Sequence, residues 1–272
     1  MGVRPLDLRV WIDADEDLGS DLALKQRLLA ERPDDFIAVA SPLHGDPNTA
    51  ALAAGELEEL ISSWWAGQGR AGPPQPPVDL HPIARCGLRT QEDWAIMAGT
   101  GVPVLLAGCV CFPTRWRLPE KIGLVATDIH RSVAHYEDIA APLDTFLDRL
   151  RPGSPVWRAN WNLVDDHERC QDYHPAPGRH LDCDSDDVAD LVDLRVERQT
   201  LRRLPRTGAI AFGIRVHQRS LRSLEDRPDV LGRLLAAAEA LPGDTFAYKG
   251  LGAFWEPLRE WLRVASEPRA GH

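Results

Sequence analysis

The 272-residue sequence predicts an α+β fold: a five-stranded antiparallel sheet with flanking N- and C-terminal helices. Three observations carry this. Apolar residues recur at helical spacing at both ends of the chain. Runs of strand character, punctuated by glycine and proline, fill the middle. The segment Arg195-Val196-Glu197-Arg198-Gln199-Thr200-Leu201-Arg202-Arg203-Leu204-Pro205 alternates at period two and leads into the apolar run Ala209–Ile214. Charge falls on both faces of that strand. Burying either face is unfavourable unless the charges pair or meet a charged ligand, so the strand is a candidate pocket wall.

The elements follow in order. Leu18, Leu22, Leu24, Leu28 and Leu29 mark a first helix that Pro33 stops. A second helix is expected from Thr49 to Trp65, with Leu52, Leu57, Leu60, Ile61 and Trp64 inward. The glycine- and proline-rich run 67–77 reads as a linker, which divides the chain into a mainly helical segment, 1–77, and a core with C-terminal helices, 78–272. Asp93–Met97 and Val102–Phe112 read as two strands joined at Gly99-Thr100-Gly101. Arg158–Leu163, Leu194–Leu201 and Ala209–His217 supply the other three. An amphipathic helix with Ile139, Leu143, Phe146, Leu147 and Leu150 on its face ends at Pro152-Gly153. A further helix starts at Pro228 and presents Leu231, Leu234, Leu235, Ala238 and Leu241, and Phe254–Val264 closes the chain.

Composition narrows the function. With 44% apolar and 26% charged residues the chain is an ordinary globular protein. Its net charge of −10 argues against a nucleic-acid binder and suits a basic partner or a cationic substrate. No basic-then-apolar leader and no apolar run of about 18 residues is found, so a soluble, cytoplasmic protein with no membrane contact is expected. The five cysteines contain no Cys-x-x-Cys pair, which argues against an iron–sulfur or zinc-ribbon site; Cys109 and Cys111 are expected to be reduced and structural. Dinucleotide, P-loop, nucleophile-elbow and zinc-protease motifs are absent.

Three clusters are candidates for chemistry. The first runs from Cys109 through Trp116 and Lys121 to Ile129-His130. An imidazole there can ligate a metal through one nitrogen while the other is fixed by a hydrogen bond, or it can be structural; His135 is its competitor. The second is Arg158, Asn160 and Asn162, which share a strand face and, beside Glu197 and Gln199, form either a ligand-binding polar wall or a buried network that fixes register. The third is Asp182-Cys183-Asp184-Ser185-Asp186-Asp187, which lacks the glycine and terminal glutamate of a calcium loop. It reads as a solvated acidic loop, with docking of a basic electron-transfer partner as the sharper alternative.

Several of these pieces, in this order, resemble the haem-dependent oxidative N-demethylase family. They are Gln91-Glu92-Asp93, Cys111-Phe112-Pro113-Thr114-Arg115-Trp116, Lys121-Ile122-Gly123, Ile129-His130, Val156-Trp157-Arg158-Ala159-Asn160-Trp161, the block Arg195–Pro205, and Tyr248-Lys249-Gly250. The resemblance implies a PAS-like fold that binds haem b. It implies oxidation of an amine by O₂, most simply N-demethylation of a methylamine with release of formaldehyde, with electrons from separate, NADPH-dependent flavin and iron–sulfur subunits. It makes His130 the expected iron ligand. Arg158, Asn160 and Glu197 become the expected catalytic residues: Glu197 pairs a protonated amine and Arg158 stabilises negative charge on bound O₂. Arg202, Arg203 and Arg206 are the expected propionate partners, and Lys121, Trp116 and Gln199 complete the expected cofactor-binding set. The chain departs from the family pattern after His130, where His130-Arg131-Ser132-Val133-Ala134-His135-Tyr136 lacks two prolines, and this leaves the amine open. The alternatives are a haem-PAS sensor, although no output segment is evident, and a divergent amine-oxidising member of a biosynthetic pathway.

Overall fold

The structure, a computed structural model, describes residues 2–42, 47–69, 72–99, 101–130, 145–173 and 183–267. Its centre is one antiparallel sheet of seven strands rather than five, in the order β1-β5-β6-β7-β3-β4-β2. The five expected strands are β3 (Asp93–Met97), β4 (Leu105–Cys109), β5 (Val156–Val164), β6 (Asp193–Arg203) and β7 (Ile210–Ser220). The two additional strands, β1 (Arg4–Pro5) and β2 (Ile37–Val39), form the edges. Two or three residues are too few to show period-two alternation, and Pro5 is tolerated at an edge because a proline there has no ladder hydrogen bond to lose. β4 is shorter than expected: its register against β3 slips between Ile96 and Met97.

Helices cover one face of the sheet. Leu18–Glu31, Pro47–Gly67 and Pro82–Gly87 pack there, and Leu28, Phe36, Leu57, Ile61 and Trp65 share one core with Trp94, Ile96, Ala107 and Ala211 of the strands. The first helix stops at Glu31, before Pro33, as expected. In the second, the inward stripe is Ala50, Ala53, Ala54, Leu57, Ile61 and Trp65. The three alanines allow close approach to the sheet, so the seam rotates away from Leu52, which is 67% exposed rather than inward. Glu56 of the same helix is buried, and its carboxylate accepts hydrogen bonds from Arg206 N (2.7 Å) and Thr207 N (2.8 Å), clamping the β6–β7 turn.

The C-terminal helices Pro228–Glu239 and Trp255–Ala265 form a second core with Val188, Val192 and Leu163. Of the expected amphipathic helix, Ile139 and Leu143 lie outside the described residues; residues 145–149 are helical, and Leu147 and Leu150 pack with Ile210. Among the described residues no helix is long and apolar enough to cross a membrane.

Candidate active site

Strand register builds the centre of the site. Arg158 stands opposite Gln199, Asn160 opposite Glu197, and Asn162 opposite Arg195. Residues paired across an antiparallel ladder share a face, so the expected polar wall exists. The next strand places Ile214 beside Gln199 and Val216 beside Glu197, giving the wall an apolar flank. The other face of β6 carries Val196, Arg198 and Thr200. There Arg198 donates to Trp11 O (3.1 Å) and Val10 O (2.6 Å), which accounts for charge on both sides of this strand.

Most of the wall is half-buried, but Arg195 is only 1% exposed. Its Nε donates to Thr114 Oγ1 (2.8 Å), its Nη1 to Gln218 Oε1 (2.5 Å), and its Nη2 to Phe112 O (2.7 Å). Burial pushes the Arg195 guanidinium below its usual range, and the Glu197 charge is the first influence to oppose it. Thr114 Oγ1 in turn donates to Glu197 Oε1 (2.7 Å), and Gln199 Nε2 donates to Glu197 Oε2 (2.9 Å).

His130 reaches the same face from another segment. It ends the short helix Ala126–Ile129, where its Nδ1 lies 2.8 Å from Ala126 O. In the tautomer that donates this bond, Nε2 carries the lone pair a metal needs. Burial lowers the His130 pKa, partly opposed by the Ala126 carbonyl, and nearby Lys121 and Arg158 lower it further. A neutral imidazole is therefore favoured. Lys121 Nζ donates to Ile129 O (3.1 Å), bracing this turn. Trp116, Ile122 and Ile129 pack against Ala95, Leu105 and Leu118, with Phe212 beside them. Since Phe212 pairs with Ala95 and with Leu201, this apolar patch continues the face that carries Arg158 and Glu197.

Two residues left out of the expected site join it. Lys249 Nζ donates to Trp161 O (2.6 Å) and sits 4.9 Å from the Trp161 ring centre. Burial lowers its pKa, Glu197 raises it and Arg158 lowers it, so all three charges lie within mutual influence. Tyr248 is 51% exposed and stands at the rim; partial burial raises its pKa and Glu197 raises it further. The signal for Lys249 was present in the sequence: the chain has only three lysines, Lys25, Lys121 and Lys249, among many arginines.

The three expected propionate arginines do not join this cluster. Arg202 lies on the opposite face, its guanidinium 4.4 Å from the Trp11 ring centre. Arg203 shares the site's face but stands at the strand end, donating to the carbonyls of Leu150 (2.5 Å), Gly208 (2.7 Å), Leu147 (2.6 Å), Asp148 (3.2 Å) and Gly99. Arg206 sits in the β6–β7 turn and pairs with Glu59 at 2.6 Å. The acidic run begins at Asp182, outside the described residues, as is His135. Within it, Asp184 Oδ1 accepts from Asp186 N and Asp187 N (2.9 and 3.0 Å) in a locally closed loop. Cys109 and Cys111 are buried free thiols. Among the described residues no group of three or more His, Cys, Asp or Glu side chains is placed to hold a metal ion.

The family described as haem-dependent oxidative N-demethylase, alpha subunit-like matches residues 66–259. That span begins in the second helix and takes in every strand and loop that builds the site, except the edge strands β1 and β2. The chain belongs to the haem-dependent oxidative N-demethylase, alpha subunit-like family.

Proposed function

We propose that this protein holds haem b between the His130 segment and the β5–β6 wall, in a PAS-like arrangement, and uses O₂ to oxidise a small protonated amine, most simply by N-demethylation with release of formaldehyde. One observation carries this reading: His130, with Nδ1 against the Ala126 carbonyl, shares a sheet face with Glu197 and Arg158.

The residues fit haem. A half-buried imidazole whose pKa is lowered by its surroundings suits iron ligation. Trp116, Ile122, Ile129 and Phe212 offer apolar surface for a planar macrocycle. Lys121 and Arg158 supply positive charge for its carboxylates. When bound, haem supplies the oxygen chemistry, in which a methylamine, O₂, two electrons and two protons give the demethylated amine, formaldehyde and water.

The chain's own side chains do the rest. Glu197 holds the ammonium group. The Arg158 and Asn160 side chains make no hydrogen bond among the described residues, so their donors are available to a ligand on this face. Lys249 borders the Glu197 end, with Tyr248 exposed at its rim. Electrons come from a flavin and iron–sulfur partner that draws on NADPH; an alpha-subunit-like chain implies further subunits, and no Cys-x-x-Cys pair is present here. The cytoplasm suits such a partner.

The test is haem titration of the purified protein, followed by absorbance. A Soret band that shifts in His130→Ala supports the reading. No band, or an unchanged band in the variant, overturns the ligand assignment.

A further inference from the structure

We infer that Thr114 and Arg195 are a positioning pair that fixes the Glu197 carboxyl group through a hydrogen bond at Oε1, so that Glu197 is aimed at the amine N–H. This rests on the amine chemistry proposed above.

Hydrogen-bond direction is the first support. A guanidinium can only donate, so Thr114 Oγ1 accepts from Arg195 Nε at 2.8 Å. The threonine hydroxyl has one hydrogen, and it goes to Glu197 Oε1 at 2.7 Å. Gln199 Nε2 donates to Glu197 Oε2 at 2.9 Å. Each carboxyl oxygen is thereby held by one donor and keeps a further lone-pair site for an ammonium N–H.

Charge is the second support. Arg195 is 1% exposed, and each of its nitrogens donates to a neutral oxygen. Glu197, one threonine hydroxyl away, is the first charge to oppose the effect of its burial, followed by Asp93. A buried cation one hydroxyl away polarises the intervening bond and stiffens the hold on Glu197.

The loop that carries Thr114 is the third. Arg115, the next residue, is the only non-glycine with positive φ among the described residues, at 59°. That conformation is unfavourable for a side-chain-bearing residue and persists only where the surroundings impose it. They do: Arg115 N donates to Gln171 O (2.7 Å), Gln171 N donates to Pro113 O (3.1 Å), and the Arg115 guanidinium pairs with the buried Asp165. Gly250 lies against the same guanidinium; a Cβ there would stand 3.2 Å from Arg115 Nη1. A strained residue held by Gln171, Asp165 and Gly250 aims Thr114 at Glu197.

The experiment compares Thr114→Val with Thr114→Ser in the haem-loaded protein, supplied with a reductase system and methylated amines. Valine keeps the shape and removes the hydroxyl. The expected result is a rise in KM for the amine of about ten- to a hundred-fold with kcat within a few-fold, restored by serine, and an unchanged Soret band. Equal KM values, or a serine variant as impaired as valine, overturn the inference. Isotope-edited infrared spectra supply a readout that needs no turnover, with the Glu197 bands assigned by difference from Glu197→Gln. A Glu197 carboxyl band that moves in Thr114→Val, or in Thr114→Ala where valine prevents folding, and returns in Thr114→Ser supports the pair. A band that does not move overturns it. If the wild type turns over no amine, the function fails while the infrared comparison still decides whether the pair exists.

Discussion

Lys25→Met is expected to destabilise the protein by about 3–5 kcal/mol and to loosen the active site at a distance. Lys25 Nζ lies 3.0 Å from Asp93 Oδ1, and both side chains are 0% exposed. The ammonium also donates to Glu92 O (2.6 Å) and Thr90 O (3.3 Å), and sits 5.2 Å from the Phe112 ring centre. Burial lowers the Lys25 pKa, but Asp93 and the neighbouring thiols outweigh it, and the net shift is upward. Methionine fills the volume and leaves the Asp93 carboxylate charged, buried and short of its partner. Removing one member of a buried pair exposes the full desolvation penalty of the other. At about 2–4 °C per kcal/mol, the melting temperature should fall by about 6–20 °C. The consequence for function follows from the other carboxylate oxygen. Asp93 Oδ2 accepts from Phe112 N (2.7 Å), and Phe112 O accepts from Arg195 Nη2 (2.7 Å). The ion pair therefore anchors the chain two residues before Thr114. Urea unfolding followed by tryptophan fluorescence measures the loss, and Lys25→Met/Asp93→Asn supplies the control, because asparagine keeps the acceptor for Phe112 N and drops the charge. The double variant should be more stable than Lys25→Met alone. A single variant within about 1 kcal/mol of wild type, or a double variant with strictly additive losses, would refute the reasoning.

Two further outcomes are expected. Glu92→Gln should stabilise the protein at neutral pH by about 1 kcal/mol or more, because Glu92 is fully buried, its Oε1 accepts from Asp13 N (2.7 Å) and its Oε2 has no hydrogen-bond partner among the described residues. Burial raises the Glu92 pKa above its ordinary 4.5, so its contribution to stability is fully present below 4.5 and is lost as pH rises through the folded value; denaturation curves across that range should show the advantage of glutamine vanishing toward acid. Gly213→Ala should cost about 1–3 kcal/mol in thermal melts, since a Cβ at this position would stand 2.8 Å from both Thr200 Oγ1 and Trp94 Cζ3, inside a packed core.

How far the sequence reveals such a site depends on the range of the forces that build it. Alternation in Arg195–Arg203 is a local property, so the strand and its division into two polar faces were readable; the pairing of Asn160 with Glu197 was also within reach, because two strands of known face must meet in some register. Direction was not readable, because alternation is the same whichever face looks at the pocket, and so Arg202, Arg203 and Arg206 were grouped by adjacency although the pleat and the turn send them to three different places. Lys249 illustrates the reverse error. It lies far along the chain from Glu197, and the sequence marks it only through the piece Tyr248-Lys249-Gly250 and the scarcity of lysine. In a chain that uses arginine for nearly every cation, a lysine stands where a compact ammonium is needed. All three meet that condition: Lys25 fits a fully buried space beside Asp93, Lys121 braces the His130 turn, and Lys249 bonds Trp161 O over the indole face. A planar fork with five donors would leave unsatisfied N–H groups at the first of these sites and overfill it. Of the three lysines, then, Lys25 stands where the larger guanidinium does not fit, and the other two border the proposed haem pocket.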